Sequence, residues 1–206
     1  MGDNRKPADR MSKATQFIPR VFLSHPAPEC EAELLAAVAR SERLHRPWVF
    51  PPCTHQEYVG YLERISSGRT IGFLVRRKSD GQVASVINVS EPVMGVLQSA
   101  YLGFYAFAGF ERQGYLREGL ALVLDRAFAA MGFHRLEANI QPANIASGAF
   151  VSRMGFRKEG FSPRYLFVDG AWRDHDRWAI LSDEWPEHRQ RLFASWQSNA
   201  AQSQNG

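Results

Sequence analysis

Nine residues, Arg112-Gln113-Gly114-Tyr115-Leu116-Arg117-Glu118-Gly119-Leu120, form a glycine turn that follows an apolar strand and opens a long apolar helix. Such a turn makes a phosphate cradle. Free backbone N–H groups point out of the helix start, and the helix dipole favours negative charge there. Asn144 comes one strand later, at the head of another helix that closes on Met154-Gly155-Phe156. Its side-chain amide can reach an amide-rich ligand lying beside the cradle. A phosphate group joined to an amide chain is the chemistry of coenzyme A.

The elements that position these residues can be read from periodicity and turn chemistry. Residues 17–23 alternate loosely and read as a strand broken by Pro26 and Pro28, and residues 29–44 carry Leu34, Leu35, Val38 and Ala39 at helical spacing. Thr54-His55-Gln56-Glu57 is a capping box that opens a helix through Ile65, and Gly68 stops it. Residues 70–76 and 82–89 are strands joined around Asp80-Gly81, a hairpin turn signal. A strand over 97–107 puts Leu102, Phe104 and Ala106 on one face. The cradle helix over 114–131 and a strand over 134–140 follow. A helix over 144–154, extended pieces at 157–161 and 165–168, and a strand at 171–181 around the Asp169-Gly170 turn complete the sheet. A short helix over 185–196 comes last. Hairpins that give way to strand–helix alternation predict an α/β fold, a mixed sheet with helices on both faces. The unit spanning 97–140 is expected to be right-handed, with its two strands parallel.

Composition bounds the reading. The 206 residues suffice for one well-buried domain, and 45% hydrophobic with 22% charged residues is ordinary for a globular chain. Residues 1–16 are polar and read as a disordered lead, 17–185 as the domain, and 186–206 as a short helix with a flexible tail. A net charge of +4 suits scattered surface arginines better than a nucleic-acid-binding face, so no sequence-specific nucleic acid is expected. No apolar run approaches the ~20 residues of a membrane span. Cys30 and Cys53 stand in no metal or redox spacing, and the six histidines are dispersed, so no metal is expected. With no signal-like segment, a reduced cytoplasmic setting is expected.

The cradle and Asn144 resemble the GNAT superfamily of acyl-CoA N-acyltransferases. The ordered series Asn88-Val89-Ser90, Gly95, Tyr101-Leu102-Gly103, His134-Arg135, Ala138-Asn139, Gly155-Phe156-Arg157-Lys158-Glu159-Gly160, Tyr165-Leu166, Asp169-Gly170 and Trp172-Arg173-Asp174-His175 looks like its ribosomal-protein-alanine N-acetyltransferase subfamily, over residues 17–185. The resemblance implies a mostly antiparallel twisted sheet in which the strands before and after the cradle helix splay apart. A pantetheine arm enters that gap and bonds to the first strand's free edge, at Leu102, Gly103 and Phe104. It also implies that Arg112, Gln113, Gly114 and Tyr115 hold the diphosphate, that Asn144 and Ser147 hold the arm, and that acetyl-CoA is the co-substrate. The acceptor it implies is a protein N-terminus, a ribosomal one with alanine first, approached by a monomer or homodimer that contacts the ribosome.

Several positions depart from the superfamily pattern. Gly109 stands where Gln or Arg is usual, and Arg112 where the first glycine is usual. Arginine there either clashes with the phosphates, adds a charge-assisted contact, or is a tolerated loop variant. Val151 stands at the place of the tyrosine acid, so Ser147 is the substitute donor or water holder. Asn139 stands at the place of the glutamate base. An amide is no base, and Glu137 is the nearest carboxylate on that strand face. An α-amine has a pKa of about 7.7–8.0, so part of it is neutral without a strong base. Tyr165 is expected to close the acceptor site, and Asn139 to anchor substrate or water. Two other readings stay open: a small-amine (polyamine or drug) acetyltransferase, which an acidic pocket from the region of Glu57 to Glu63 would favour, and a CoA-binding ribosome-assembly module with little catalysis.

Overall fold

The computed structural model describes residues 18–202, with side chains through 196. The expected disordered lead at 1–16 and the last residues, 203–206, lie outside the described residues. The sheet has seven strands: β1 Val21–Ser24, β2 Thr70–Arg77, β3 Val83–Val93, β4 Ser99–Ala106, β5 Arg135–Ile140, β6 Arg157–Val168 and β7 Ala171–Leu181. Their order is β1-β2-β3-β4-β5-β7-β6, and every pairing is antiparallel except β4 with β5. The helices are α1 Glu31–Arg40, α2 Glu42–His45, α3 His55–Ser66, α4 Tyr115–Ala129, α5 Ile145–Arg153 and α6 Trp185–Gln202.

Strand alternation places helices on both faces. A Cβ on Gly72 of β2 would lie 2.5 Å from the Tyr61 hydroxyl of α3, whereas a Cβ on Gly119 of α4 would lie 2.4 Å from Val75 Cγ2. Residues 72 and 75 point to opposite faces of one strand, so α3 and α4 sandwich the sheet. Between them lie Phe73, Leu74, Val86, Ile87, Leu120, Leu124 and Leu136, all fully buried. Each such side chain contributes roughly 1.5–3 kcal/mol.

Four expectations change in detail. The helix over 29–44 breaks at Ser41, after a 3-10 turn at Pro28–Cys30. Ser41 Oγ donates to the Ala37 carbonyl at 2.6 Å and accepts from the Ala108 N–H at 2.9 Å, so the hydroxyl competes with the helical ladder. The first strand begins at Val21 rather than near Phe17 and ends at Ser24. The two extended pieces after Gly155 are one strand, β6, whose pairing slips between Ser162 and Leu166 around Arg164 at φ +49°. The last helix runs on to Gln202 because residues 197–202 contain no Gly or Pro to stop it. That helix packs on the rest of the domain: Trp185 Nε1 and Arg189 Nε both donate to Asp125 Oδ1 of α4 at 2.8 Å.

The feature that makes a site is the fork between β4 and β5. Their parallel pairing covers only Ser99–Arg135, Ala100–Leu136 and Tyr101–Glu137. Beyond Tyr101, β4 keeps β3 on one side, with no β5 partner on the other.

Candidate active site

A cleft of about 720 Å³ opens above the fork. Leu102, Gly103 and Phe104 of β4, Arg112, Gln113 and Gly114 of the cradle, and Asn139, Asn144 and Ser147 of β5 and α5 all line it. Two residues singled out from the sequence stand elsewhere. The Tyr115 ring is buried against Phe110, with the Arg20 guanidinium 4.8 Å from its centroid, so only its backbone faces the cradle mouth as the first residue of α4. Tyr165 lies outside the cleft wall, and its hydroxyl stands 3.4 Å from that of Tyr101, the residue at the fork. That contact, with burial, pushes the Tyr101 phenol up to about 12.

The cradle is built by left-handed backbone. Gly109, Arg112 and Gly114 have φ of +89°, +58° and +85°. Gly114 is the N-cap of α4 and offers no side-chain cap, which leaves the first-turn N–H groups for a ligand. Arg112 adopts the conformation glycine favours at a cost of about 1–2 kcal/mol, with its exposed side chain in the cleft wall. The turn is braced from a distant part of the chain. Arg20 donates its backbone N–H and its Nε to the Glu118 carboxylate at 2.7 and 2.8 Å, and its Nη2 to the Gln113 carbonyl at 2.6 Å. Glu118 is 2% exposed. Gln113 Nε2 donates to the Gly109 carbonyl, and the Gly109 N–H to Glu111.

Asn144 caps α5 by accepting the Ser147 N–H at 3.1 Å through Oδ1. Its amide N–H groups take no partner among the described residues. Asn139 Oδ1 is buried with no hydrogen-bond partner. The carboxylates near the fork are committed: Glu137 to Arg135, Asp176 to Lys158, and Glu159 to Arg135 and Arg157. The Arg135 contact, first among its neighbours, holds the Glu159 carboxyl below the usual range. Val151 is fully buried in the core.

Two wall residues escaped the sequence reading. His45 is 2% exposed, and its Nε2 bonds the Ala106 carbonyl at 2.8 Å. Its Nδ1 is buried without a partner, and burial, opposed by the Ala106 bond, lowers its pKa and so favours the neutral ring. Arg117 lies in the first turn of α4, and its Nε is also buried without a partner. Burial, against the pull of Glu118 and with the push of Arg20, lowers its pKa. His45 stands in no local motif, and only the tertiary packing brings it beside β4; Arg117 lies within the cradle run, but nothing local announces its buried Nε.

These groups fit acetyl-CoA. The cations and N–H groups of the cradle suit phosphates, and the unpaired stretch of β4 suits an extended amide chain. No group of three or more metal-ligating side chains occurs among the described residues, and no helix there is long and apolar enough to cross a membrane.

Comparison with known proteins gives a consistent picture. The acetyltransferase (GNAT) domain family matches residues 20–157. The [Ribosomal protein uS5]-alanine N-acetyltransferase of Escherichia coli (strain K12) is 33% identical over 139 residues, 67% of this chain and 72% of that protein. The structure of Mycobacterium smegmatis RimJ in complex with CoA-disulfide superposes with a TM-score of 0.73 at 28% identity, covering 85% of this chain and 88% of that one. Spermidine N-acetyltransferase from Vibrio cholerae in complex with CoA and spermine shares the fold, with a TM-score of 0.69 at 16% identity over 81% of this chain and 98% of that one. A family match of this extent, on a sheet forked at Tyr101, places the chain among the GNAT acetyltransferases, and it is an acetyl-CoA-dependent N-acyltransferase.

Proposed function

We propose that this enzyme acetylates the N-terminal α-amine of a protein, with a ribosomal protein beginning in alanine as the acceptor. The observation that carries the reading is Asn139 Oδ1, a buried acceptor atom with no partner, at the place where a catalytic carboxylate would be expected. An amide oxygen can accept a hydrogen bond from an amine but cannot take its proton at neutral pH. The acceptor must therefore bring a neutral fraction of its own. An α-amine with a pKa of about 7.7–8.0 has roughly a tenth to a sixth of its molecules neutral near pH 7, whereas an amine near 10.4 has fewer than about one in a thousand.

Acetyl-CoA supplies the activated acyl thioester. The rest of the chemistry belongs to the chain. Gly114 and the first turn of α4 hold the phosphates, the unpaired edge of β4 orients the arm, and Asn144 adds its free amide. Asn139 positions the attacking amine, and Ser147 Oγ, in the cleft wall, offers a hydroxyl to assist the departing thiolate. The amine nitrogen bonds directly to the thioester carbon, the C–S bond breaks, and the proton that the nitrogen gives up passes, through Ser147 or water, to the departing sulfur. Tyr165 orders Tyr101 at the fork.

The wall also disfavours a polycation. Glu111 is its one carboxylate, while Arg112, Arg117 and Arg153 line the same cleft. Glu57 and Glu63 do not line it, and Glu57 is spent on the capping box of α3. The test is incubation with acetyl-CoA and peptides that begin in alanine or serine, beside spermidine, with thiol release and mass as readouts. Acetylation confined to the peptide α-amine supports the proposal, and turnover of spermidine alone rejects it. In addition, kcat/KM should rise with pH and level off about the pKa of the acceptor amine, moving with that pKa when the first residue is changed.

A further inference from the structure

Arg117 stands in an odd place. It is the third residue of α4, where the positive end of the helix dipole disfavours a cation. A Cβ on Gly114, the cap of the cradle, would lie 3.3 Å from its Nη2, so the guanidinium sits at the cradle mouth. Its Nε is buried without a partner, and no carboxylate among the described residues pairs with it. The neighbouring carboxylate, Glu118, is already held by Arg20. What does touch Arg117 is the face of Trp196, 4.2 Å from the guanidinium carbon to the ring centroid. Trp196 belongs to α6 and is 5% exposed. A half-buried cation with an unused N–H at a helix mouth needs an anion, and a stacked indole fixes the plane in which its donors lie.

We infer that Arg117 is a phosphate anchor for acetyl-CoA and that Trp196 is the positioning residue that holds it, so α6 is part of the cofactor site. This sets Arg117 apart from Arg112, which is exposed and stacks on no ring among the described residues. It also extends the functional unit past residue 185, where the sequence reading ends the domain. The phosphate read is either the diphosphate or the 3′-phosphate; both present the same chemistry.

The experiment is calorimetric titration of CoA, without acyl transfer, into the full chain and its variants. Arg117→Ala should weaken CoA about tenfold or more, and Arg117→Lys should recover only part of that, since lysine lacks the planar fork. Trp196→Ala should weaken CoA about threefold, and Trp196→Phe should restore it. The double variant should bind no worse than Arg117→Ala alone, because Trp196 acts through the arginine. In turnover assays the loss should fall on the acetyl-CoA KM more than on kcat, as expected for contacts made equally before and during reaction. Trp196→Leu, which fills volume without a π face, replaces Trp196→Ala if that variant folds poorly. Comparing CoA with 3′-dephospho-CoA assigns the phosphate: lost discrimination in Arg117→Ala identifies the 3′-phosphate, and retained discrimination the diphosphate. CoA affinity within twofold of wild type in Arg117→Ala overturns the inference. So does an equal loss from the Trp196 substitution when Arg117 is already alanine.

Discussion

The two ends of the cleft are built on opposite plans. At the cradle, the backbone is fixed by ion pairs and left-handed turns before any ligand arrives: Glu118 holds Arg20, and Arg20 holds Gln113. At the fork the carboxylates are committed, but Asn139 Oδ1 in the cleft wall is left unpaired. In the proposed reaction one end recognises a constant ligand and can be rigid. The other, at Asn139, must admit an acceptor and act only when it is there. Preorganisation is therefore concentrated where the chemistry does not change.

Substitutions can separate these plans. Gly114→Val puts a β-branched residue at φ +85° and should raise the acetyl-CoA KM about 30-fold, with acceptor KM little changed. If the acceptor KM rises equally, the division of labour fails. Glu118→Ala strands Arg20 and should cost about 2 kcal/mol in a denaturant melt, less than a fully buried pair because Arg20 is half exposed. Asn139→Leu should lower kcat/KM for the peptide about tenfold while CoA affinity measured by titration stays constant. A loss of CoA affinity there would move Asn139 to the cradle side. The smallest effect concerns His45. Its pKa is lowered in the folded chain, so below about pH 6.5 the unfolded chain binds a proton that the folded one refuses. Stability should fall as pH drops through that window, and His45→Gln should flatten the slope in thermal melts.

The cradle was legible because its signals are local. A glycine before an apolar helix, a capping asparagine and a hairpin turn each declare themselves within a few residues. Thr54 and Glu57 form the capping box their spacing predicts. Asp80-Gly81 turns between β2 and β3 as read. What escaped depends on contacts across the chain. Arg20 and Glu118 are 98 residues apart. His45 enters the cleft wall only because the helix breaks at Ser41, where a hydroxyl competes for a carbonyl. Arg117 lies within the cradle run but has no role of its own in the sequence reading, since neither its buried Nε nor its stacking on Trp196 leaves a local trace. The sequence shows two extended pieces flanking Pro163, whereas the strand runs on through a register slip around the left-handed Arg164, which leaves no local signal.

The bare edge of β4 above Tyr101 has a thermodynamic consequence. In the proposed binding mode acetyl-CoA adds there as a missing strand, and a ligand that binds only the folded form protects it from unfolding. At a hundred times its Kd, such a ligand adds about 2.7 kcal/mol. That mode predicts that stability rises with the supply of the enzyme's own co-substrate, and hydrogen exchange along residues 102–106 should slow as CoA is added.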